Sequence, residues 1–260
     1  MKRLSLLALP LVFLFASCVA VFPFDGLVGN GKVATYPLNL SHFDAIRNYS
    51  SAKVVVARGS SPGASVTIDS NLLEALDIRV ESNTLIVSLK PGKSIVRYSK
   101  FVVDAVTPAL AELGTYGSGP ISCADNFSGT RMRLSTNGSG NLSGAFDYYE
   151  IEAAIGGSGS IGATCIATTL KATVVGSGDI VLKGGAKDIT ARIGGSGSVL
   201  GEGFRAETAD LSIYGSGSIS CRVSDRLSAA IGGSGNINYY GNPWVESRDN
   251  GSGSVRRLGL

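Results

Sequence analysis

The sequence predicts an all-β protein whose body is a right-handed parallel β-helix of about 19-residue coils, preceded by an N-terminal β-rich hairpin segment. Three observations predict it. The triplet Gly-Ser-Gly recurs with its serine at Ser118, Ser139, Ser158, Ser177, Ser196, Ser216, Ser234 and Ser252, at intervals of 21, 19, 19, 19, 20, 18 and 18 residues. A flexible Gly-Ser linker would keep no such period. Aliphatic residues stand at fixed odd offsets from that serine, whereas the spacings of three and four that an amphipathic helix needs are not sustained.

Composition agrees with a packed fold. Apolar residues make up 44% and charged residues 17%, which excludes a disordered chain. Glycine, 35 of 260 residues, is nearly twice as common as usual but lacks the every-third placement of collagen. The formal charge of +3 includes Lys2 and Arg3, and without them 21 basic residues face 20 acidic ones. So even a balance gives no electrostatic ground for a nucleic-acid partner.

The elements follow in chain order. In MKRLSLLALPLVFLFASC two basic residues precede an apolar run from Leu4 to Phe15 and then small residues. The run is too short to span a bilayer and reads as a secretory signal over residues 1–18. Phe15-Ala16-Ser17-Cys18 resembles a bacterial lipobox, with Phe15 where Leu is usual. Cys18 is the expected lipid attachment, a palmitate-bearing site, in preference to an ordinary signal that happens to contain a cysteine. Several acyl chains there would hold the protein stably on a membrane. Residues 19–26, VAVFPFDG, are the tether, and Val19 in place of Asp favours an outer-membrane destination in the cell envelope. Whether the protein faces the periplasm or the cell surface is left open.

Residues 27–110 lack the triplet but carry the β-branched runs KVVVA, SVTI, DIRV and TLIVSL, separated by turn formers at 61–63, 82–83 and 91–92. NLLEALDI, residues 71–78, is the one plausible helical turn. Two degenerate triplets, around Asn30 and Ser51, are 21 residues apart and each has valine three residues on. On that reading the coils start near residue 27 and residues 57–110 are a hairpin insertion.

Residues 111–260 hold the regular coils. Three residues after the serine stand Ile121, Leu142, Ile161, Ile180, Val199, Ile219, Ile237 and Val255. Three before it the middle copies carry Ile155, Val174, Ile193, Ile213 and Ile231. Positions an even number apart share one face of a strand, so each coil has one apolar face that only stacking can bury. Successive coils would pair in parallel about 4.8 Å apart, and the general preference of parallel connections supplies the right hand. Both triplet glycines fall on the inward parity and are expected at a tight corner, with positive φ available to them. The serine between them should point outward, to form a hydroxyl ladder or cap corner groups.

In order along the chain, VGNGKVATYPLNLSHFDAIRNYSSAKVVVARG, SVTIDSNLLEALDIRVESNTLIVSLK and the serial GSGSI and GSGDI units resemble the head GIN domain of putative auto-transporter adhesins, over roughly residues 27–255. The resemblance implies a secreted or lipid-anchored envelope protein with a right-handed β-helix. The family name implies adhesion, and no binding residue carries over. No amphipathic strands follow SVRRLGL, so a self-made translocator barrel is not expected.

Catalytic and metal chemistry finds little support. A polysaccharide-cleaving β-helix needs carboxylates with Lys or Arg close together on adjacent coils. Two residues after the serine the column contains one acid, Asp179, while Asp188, Asp210 and Asp225 fall at loop offsets. A calcium roll needs an acid where Ile161, Val199 and Ile237 stand. Neither a nucleophile elbow nor a Walker loop is present. With His42 the only histidine and no CxxC, a zinc site is not expected, and no metal or cofactor is assigned. Cys123, Cys165 and Cys221 read as buried, unpaired thiols.

Scattered aromatics, Tyr116, Tyr148, Tyr149, Tyr214, Tyr239, Tyr240 and Trp244, are assigned to outward positions. Tyr239, Tyr240 and Trp244 form the densest group, either a partner surface or, as preferred, a cap on the final coils. The expected function is a non-enzymatic, lipid-anchored envelope protein that presents its β-helix for adhesion or scaffolding. Its partners would be a membrane, through Cys18, and an envelope glycan or protein. The alternative is a secreted carbohydrate-active enzyme of the polysaccharide lyase or hydrolase type.

Overall fold

The computed structural model describes residues 26–259, so the signal, Cys18 and all of the tether but Gly26 lie outside the described residues. Between successive triplets each regular coil is one long bent strand: Leu142–Ile155, Ile161–Val174, Ile180–Ile193, Val199–Ile213 and Ile219–Ile231. These strands pair in parallel along the repeat, Leu142 beside Ile161, Ile161 beside Ile180, Ile180 beside Val199 and Val199 beside Ile219. The protein is therefore a parallel β-solenoid.

Pairing skips one residue in mid-coil. Tyr148 faces Ala167 and Glu150 faces Thr169, so Tyr149 and Thr168 sit at a second bend opposite the triplet corner. Each coil thus has a first wall, after the triplet, and a second wall, before the next one. Side chains alternate in and out on both walls, as a strand requires. The inward column Ile155, Val174, Ile193, Ile213 and Ile231 is buried throughout. Burying one such side chain contributes about 1.5–3 kcal/mol, and no single coil could collect that alone.

Towards the N-terminal end the same column turns polar. Asn48, Thr115 and Thr136 are fully buried there. The Asn48 amide donates to the carbonyls of Ala52 (2.8 Å) and Gly119 (3.2 Å) and accepts from the Ser50 N–H and hydroxyl. The Thr115 hydroxyl donates to the Gly119 carbonyl at 2.9 Å. Asn48 and Thr115 thus satisfy corner carbonyls that an aliphatic residue would leave to find other donors, whereas the buried Thr136 hydroxyl has no hydrogen-bond partner among the described residues.

Ala45–Asn48 and Lys53–Arg58 form a coil below the first full triplet, pairing in parallel with Glu112–Thr115 and with the start of Ile121–Thr136. Val54 faces Ile121, so Ser50-Ser51-Ala52 stands in the corner register. Asn30 does not. Val33–Leu38 runs antiparallel to Gly63–Asp69, which corrects the expectation of a coil starting near residue 27. The physical reason is Asp69, whose buried carboxylate accepts the Gly31 N–H (2.7 Å), the Ser99 N–H (2.7 Å) and the Ser99 hydroxyl (2.9 Å). It holds residues 29–31 in the end layer, where Pro37 is tolerated on an edge strand.

The chain between residues 59 and 110 doubles back beneath that coil. Thr84–Leu89 pairs in parallel with Ala45–Asn48, and Phe101–Thr107 in parallel with Lys53–Arg58. Leu76–Glu81 joins Thr84–Leu89 as an antiparallel hairpin, turned at Ser82 and Asn83 with φ of 48° and 60°. Positive φ at both central residues is the geometry of the favoured two-residue hairpin turn. Ser70–Ala75 forms a 3₁₀ helix where a helical turn was expected, and it buries Leu72 and Ala75. The end of the solenoid is thus closed by a parallel layer laid under a coil that precedes it in sequence, itself flanked by the antiparallel strands Leu76–Glu81 and Gly63–Asp69.

Candidate functional site

All eight triplet serines are exposed, from Ser118 to Ser252. Their main chain carries the stacking: the Ser158 N–H donates to the Gly138 carbonyl at 3.1 Å, and the bond repeats from Ser177 to Gly157, Ser196 to Gly176 and Ser216 to Gly195. Their hydroxyls make no ladder among the described residues. A side-chain ladder exists two residues further on. Asn141 Oδ1 accepts the Ser160 N–H (2.9 Å), Ser160 Oγ the Asp179 N–H (3.3 Å), Asp179 Oδ1 the Ser198 N–H (2.7 Å) and Ser198 Oγ the Ser218 N–H (3.2 Å). Asp179, the one acid of that column, is therefore a rung of the ladder.

The triplet glycines are not left-handed. Positive φ among glycines occurs at Gly31, Gly92, Gly184 and Gly241. What the corner requires is close approach: a Cβ on Gly157 would stand 2.2 Å from the Gly138 carbonyl oxygen, and one on Gly159 2.0 Å from that of Gly140. The tightness lies between neighbouring coils, which corrects the expectation of strained corner dihedrals.

The aromatic group divides. Tyr239 belongs to an inward column, beside Cys221, and packs on the core. Tyr240 lies under the Arg222 guanidinium, 5.1 Å from the ring centroid, and Trp244 under that of Arg226 at the same distance. Trp244 is 61% exposed. Tyr148 is not on the surface. It is buried and donates its hydroxyl to the Leu110 carbonyl at 2.5 Å, because the residue after it, Tyr149, takes the bend and the outward direction.

The second wall carries ion pairs across coils: Arg131 with Glu150 (2.7 Å), Arg133 with Glu152 (3.1 Å) and Arg226 with Glu246 (3.6 Å). These are exposed pairs of small net worth and serve the register of the coils. Thr208 and Asp188 share a hydrogen bond of 2.5 Å on the same wall. Among the described residues no three His, Cys, Asp or Glu side chains cluster as a metal site.

The first wall carries a shallow, open depression that the sequence reading did not find. Gly184-Gly185-Ala186 lies in mid-strand, with Gly184 at φ +92°. Gly185 faces Ile166 on one side and Arg205 on the other, and Arg205 in turn faces Arg222. The missing side chain opens a depression of about 500 Å³ floored by Ala167, Ala186 and Ala206. Its rim holds Lys187, Arg205, Arg222, Glu207 and Ser224. Ile166 stands at its edge 61% exposed. Neither Lys187 nor Arg205 forms an ion pair among the described residues. The signal available in the sequence was KGGAK, a glycine pair between two lysines inside a strand, where glycine marks close backbone approach or a dip.

Comparison with known proteins covers nearly all of this architecture. The family model described as "putative auto-transporter adhesin, head GIN domain" matches residues 42–174 and 144–243. A crystal structure of a protein from Parabacteroides distasonis, described as a putative lipid binding protein, is 30% identical, with a TM-score of 0.84 over 89% of this chain and 99% of that one. A putative adhesin from Parabacteroides merdae is 24% identical, with a TM-score of 0.84 over 90% and 99%. A putative adhesin from Parabacteroides distasonis is 22% identical, with a TM-score of 0.82 over 90% and 100%, and these two likenesses bear on the fold alone. No functionally curated protein matches the chain.

Proposed function

The chain belongs to the head GIN domain family, and on that premise we propose that it is a non-enzymatic, lipid-anchored protein of the cell envelope whose solenoid wall is an adhesion or scaffolding surface. The observation that carries the reading is the depression on the first wall, a concave site with polar groups converging on an apolar floor. It is built from strand residues of four adjacent coils, so its geometry is set by the stacked backbone. The membrane attachment through Cys18 rests on the signal and lipobox-like residues. An outer-membrane location rests on Val19 in the same way.

The name of the Parabacteroides distasonis relative raises lipid binding for this chain too. The interior argues for a surface contact instead of an enclosed acyl chain. Phe127, Phe146 and Phe204 are buried among stacked aliphatic columns and fill the space a lipid tail would need.

Two measurements on cells test the reading together. Protease treatment of intact cells is expected to remove the chain, and cells lacking it are expected to attach less well to their glycan or protein substratum. Unchanged attachment in cells whose chain is accessible to protease would overturn it.

A further inference from the structure

We propose that the depression on the first wall binds an acidic saccharide, its carboxylate held by Arg205 and Lys187 and its ring laid on the floor at Gly185 and Ala186. The inference deepens the adhesion reading and rests on it, because it names the class of ligand that the same wall would take.

Charge and shape both point to this class. Lys187, Arg205 and Arg222 ring the depression against a single carboxylate, Glu207. Arg222 is already engaged: its guanidinium lies over Tyr240, which fixes its position at the rim. Arg205 and Lys187 have no carboxylate partner among the described residues. Arg205 and Lys187 lie on adjacent coils, about 4.8 Å apart along the stack and two residues apart along the strand, since Arg205 faces Gly185, a separation that their long side chains can close on the two oxygens of a carboxylate and a neighbouring hydroxyl. A guanidinium is well suited to the bidentate part of that contact.

The floor suits the C–H face of a sugar ring. Gly185 presents no side chain, Ala167 and Ala186 are small and half-buried, and Ile166 closes one side. Glu207 and Ser224 at the rim can accept from and donate to ring hydroxyls. The filled core separates a saccharide from an anionic lipid, whose tails would find no apolar channel there. The depression is open to solvent and about 500 Å³ in volume, room for one or two sugar rings.

The test uses the full-length chain with three probes: an oligogalacturonate, its methyl-esterified neutral form, and vesicles of phosphatidylglycerol and phosphatidylcholine. Calorimetry is expected to detect the acidic oligomer, with affinity at least ~10-fold weaker for the neutral ester. Arg205→Glu should abolish that binding. Arg192→Glu, an exposed and equal charge change on the second wall, should leave it within about twofold. Circular dichroism of Arg205→Glu checks that the solenoid is intact, and Arg205→Lys should keep part of the affinity. The proposal is overturned by equal affinity for acid and ester, by equal loss in both charge reversals, by binding of vesicles alone, or by binding of no probe. If no probe binds and cells lacking the chain still lose attachment, the saccharide assignment falls while the adhesion reading stands.

Discussion

Gly195 lies directly over Gly176: a Cβ on Gly195 would stand 2.1 Å from the Gly176 carbonyl oxygen. That oxygen is not idle, since it accepts the N–H groups of both Ser196 (3.2 Å) and Gly197 (3.3 Å). The corner is thus a place where one coil's carbonyl reaches up into the main chain of the next. A side chain on the first glycine would have to displace it. The same relationship recurs at Gly157 over Gly138, Gly176 over Gly157 and Gly233 over Gly215, which is why a Gly-Ser run that would be a linker elsewhere is here the most tightly stacked part of the molecule.

Adjacent residues give a sharp contrast. Gly194 has open space where its Cβ would lie, and it does not have positive φ. Gly194→Ala is therefore expected to be neutral or to stabilise by about 0.4–1 kcal/mol through the unfolded chain. Gly195→Ala forces a backbone shift in a packed stack and should cost about 1–3 kcal/mol or more. Denaturant melts of the two variants decide it, and similar midpoints would remove close approach as the reason for the repeat.

The ladder two residues after each triplet serine makes a second prediction. Asp179 accepts the Ser198 N–H at 2.7 Å while its own N–H is taken by Ser160 Oγ at 3.3 Å. Asp179→Ala should cost about 1 kcal/mol, the net worth of one such bond. Asp179→Ser should recover most of it, because serine fills the same rung at Ser160 and Ser198. The loss should show in the urea midpoint with the slope unchanged.

Asp69 links the end layer to pH. Its carboxyl is held below the ordinary range, chiefly by the Ser99 N–H, against the opposing effect of burial, with further help from the Ser99 hydroxyl and the Gly31 and Lys100 N–H groups. Because the folded value is the lower one, its stabilisation is fully present above the unfolded value near 3.9 and is lost as pH falls through the folded value. Asp69→Asn should lower the melting temperature at neutral pH. The difference from the parent chain should shrink towards zero at strongly acid pH. A difference that stays constant across the acid limb would detach the carboxylate charge from the cap.

The solenoid was legible in the sequence because parallel, in-register stacking leaves a trace at one period: Ile161, Ile180 and Val199 are equivalent by offset and adjacent in space. The end layer left no such trace. Thr84–Leu89 and Phe101–Thr107 lie beneath a coil that comes earlier in the chain, and β-branched runs carry no information on which neighbour they choose. The Asn48, Thr115 and Thr136 positions read as breaks in an aliphatic column, although they hold the same place as Ile155, and Asn48 and Thr115 answer to corner carbonyls. Tyr148 and Tyr149 could not be told apart, since only the bend decides which of two adjacent tyrosines turns inward. The depression at Gly185 arises from four coils together, from Ile166 to Ser224, so no window shorter than about three repeats contains it.

The cysteines make lipid attachment countable. Cys123, Cys165 and Cys221 are free, and burial, the dominant cause for each, pushes their thiols up to about 12. A thiol with that value is ionised to only about one part in 10⁴ at pH 8, and the thiolate is the reacting species. The folded chain is therefore expected to react very slowly with a thiol reagent at pH 8, and unfolding in guanidinium should release the three thiols together. Cys18 sets the total. If its sulfur carries a lipid thioether, the denatured mature chain yields three equivalents. An unmodified chain that retains Cys18 yields four. Mass spectrometry of the N-terminal peptide tells a lipidated Cys18 from one removed with the signal. Four equivalents on protein purified from membranes would refute the anchor, whereas three, with an acylated peptide, would establish it.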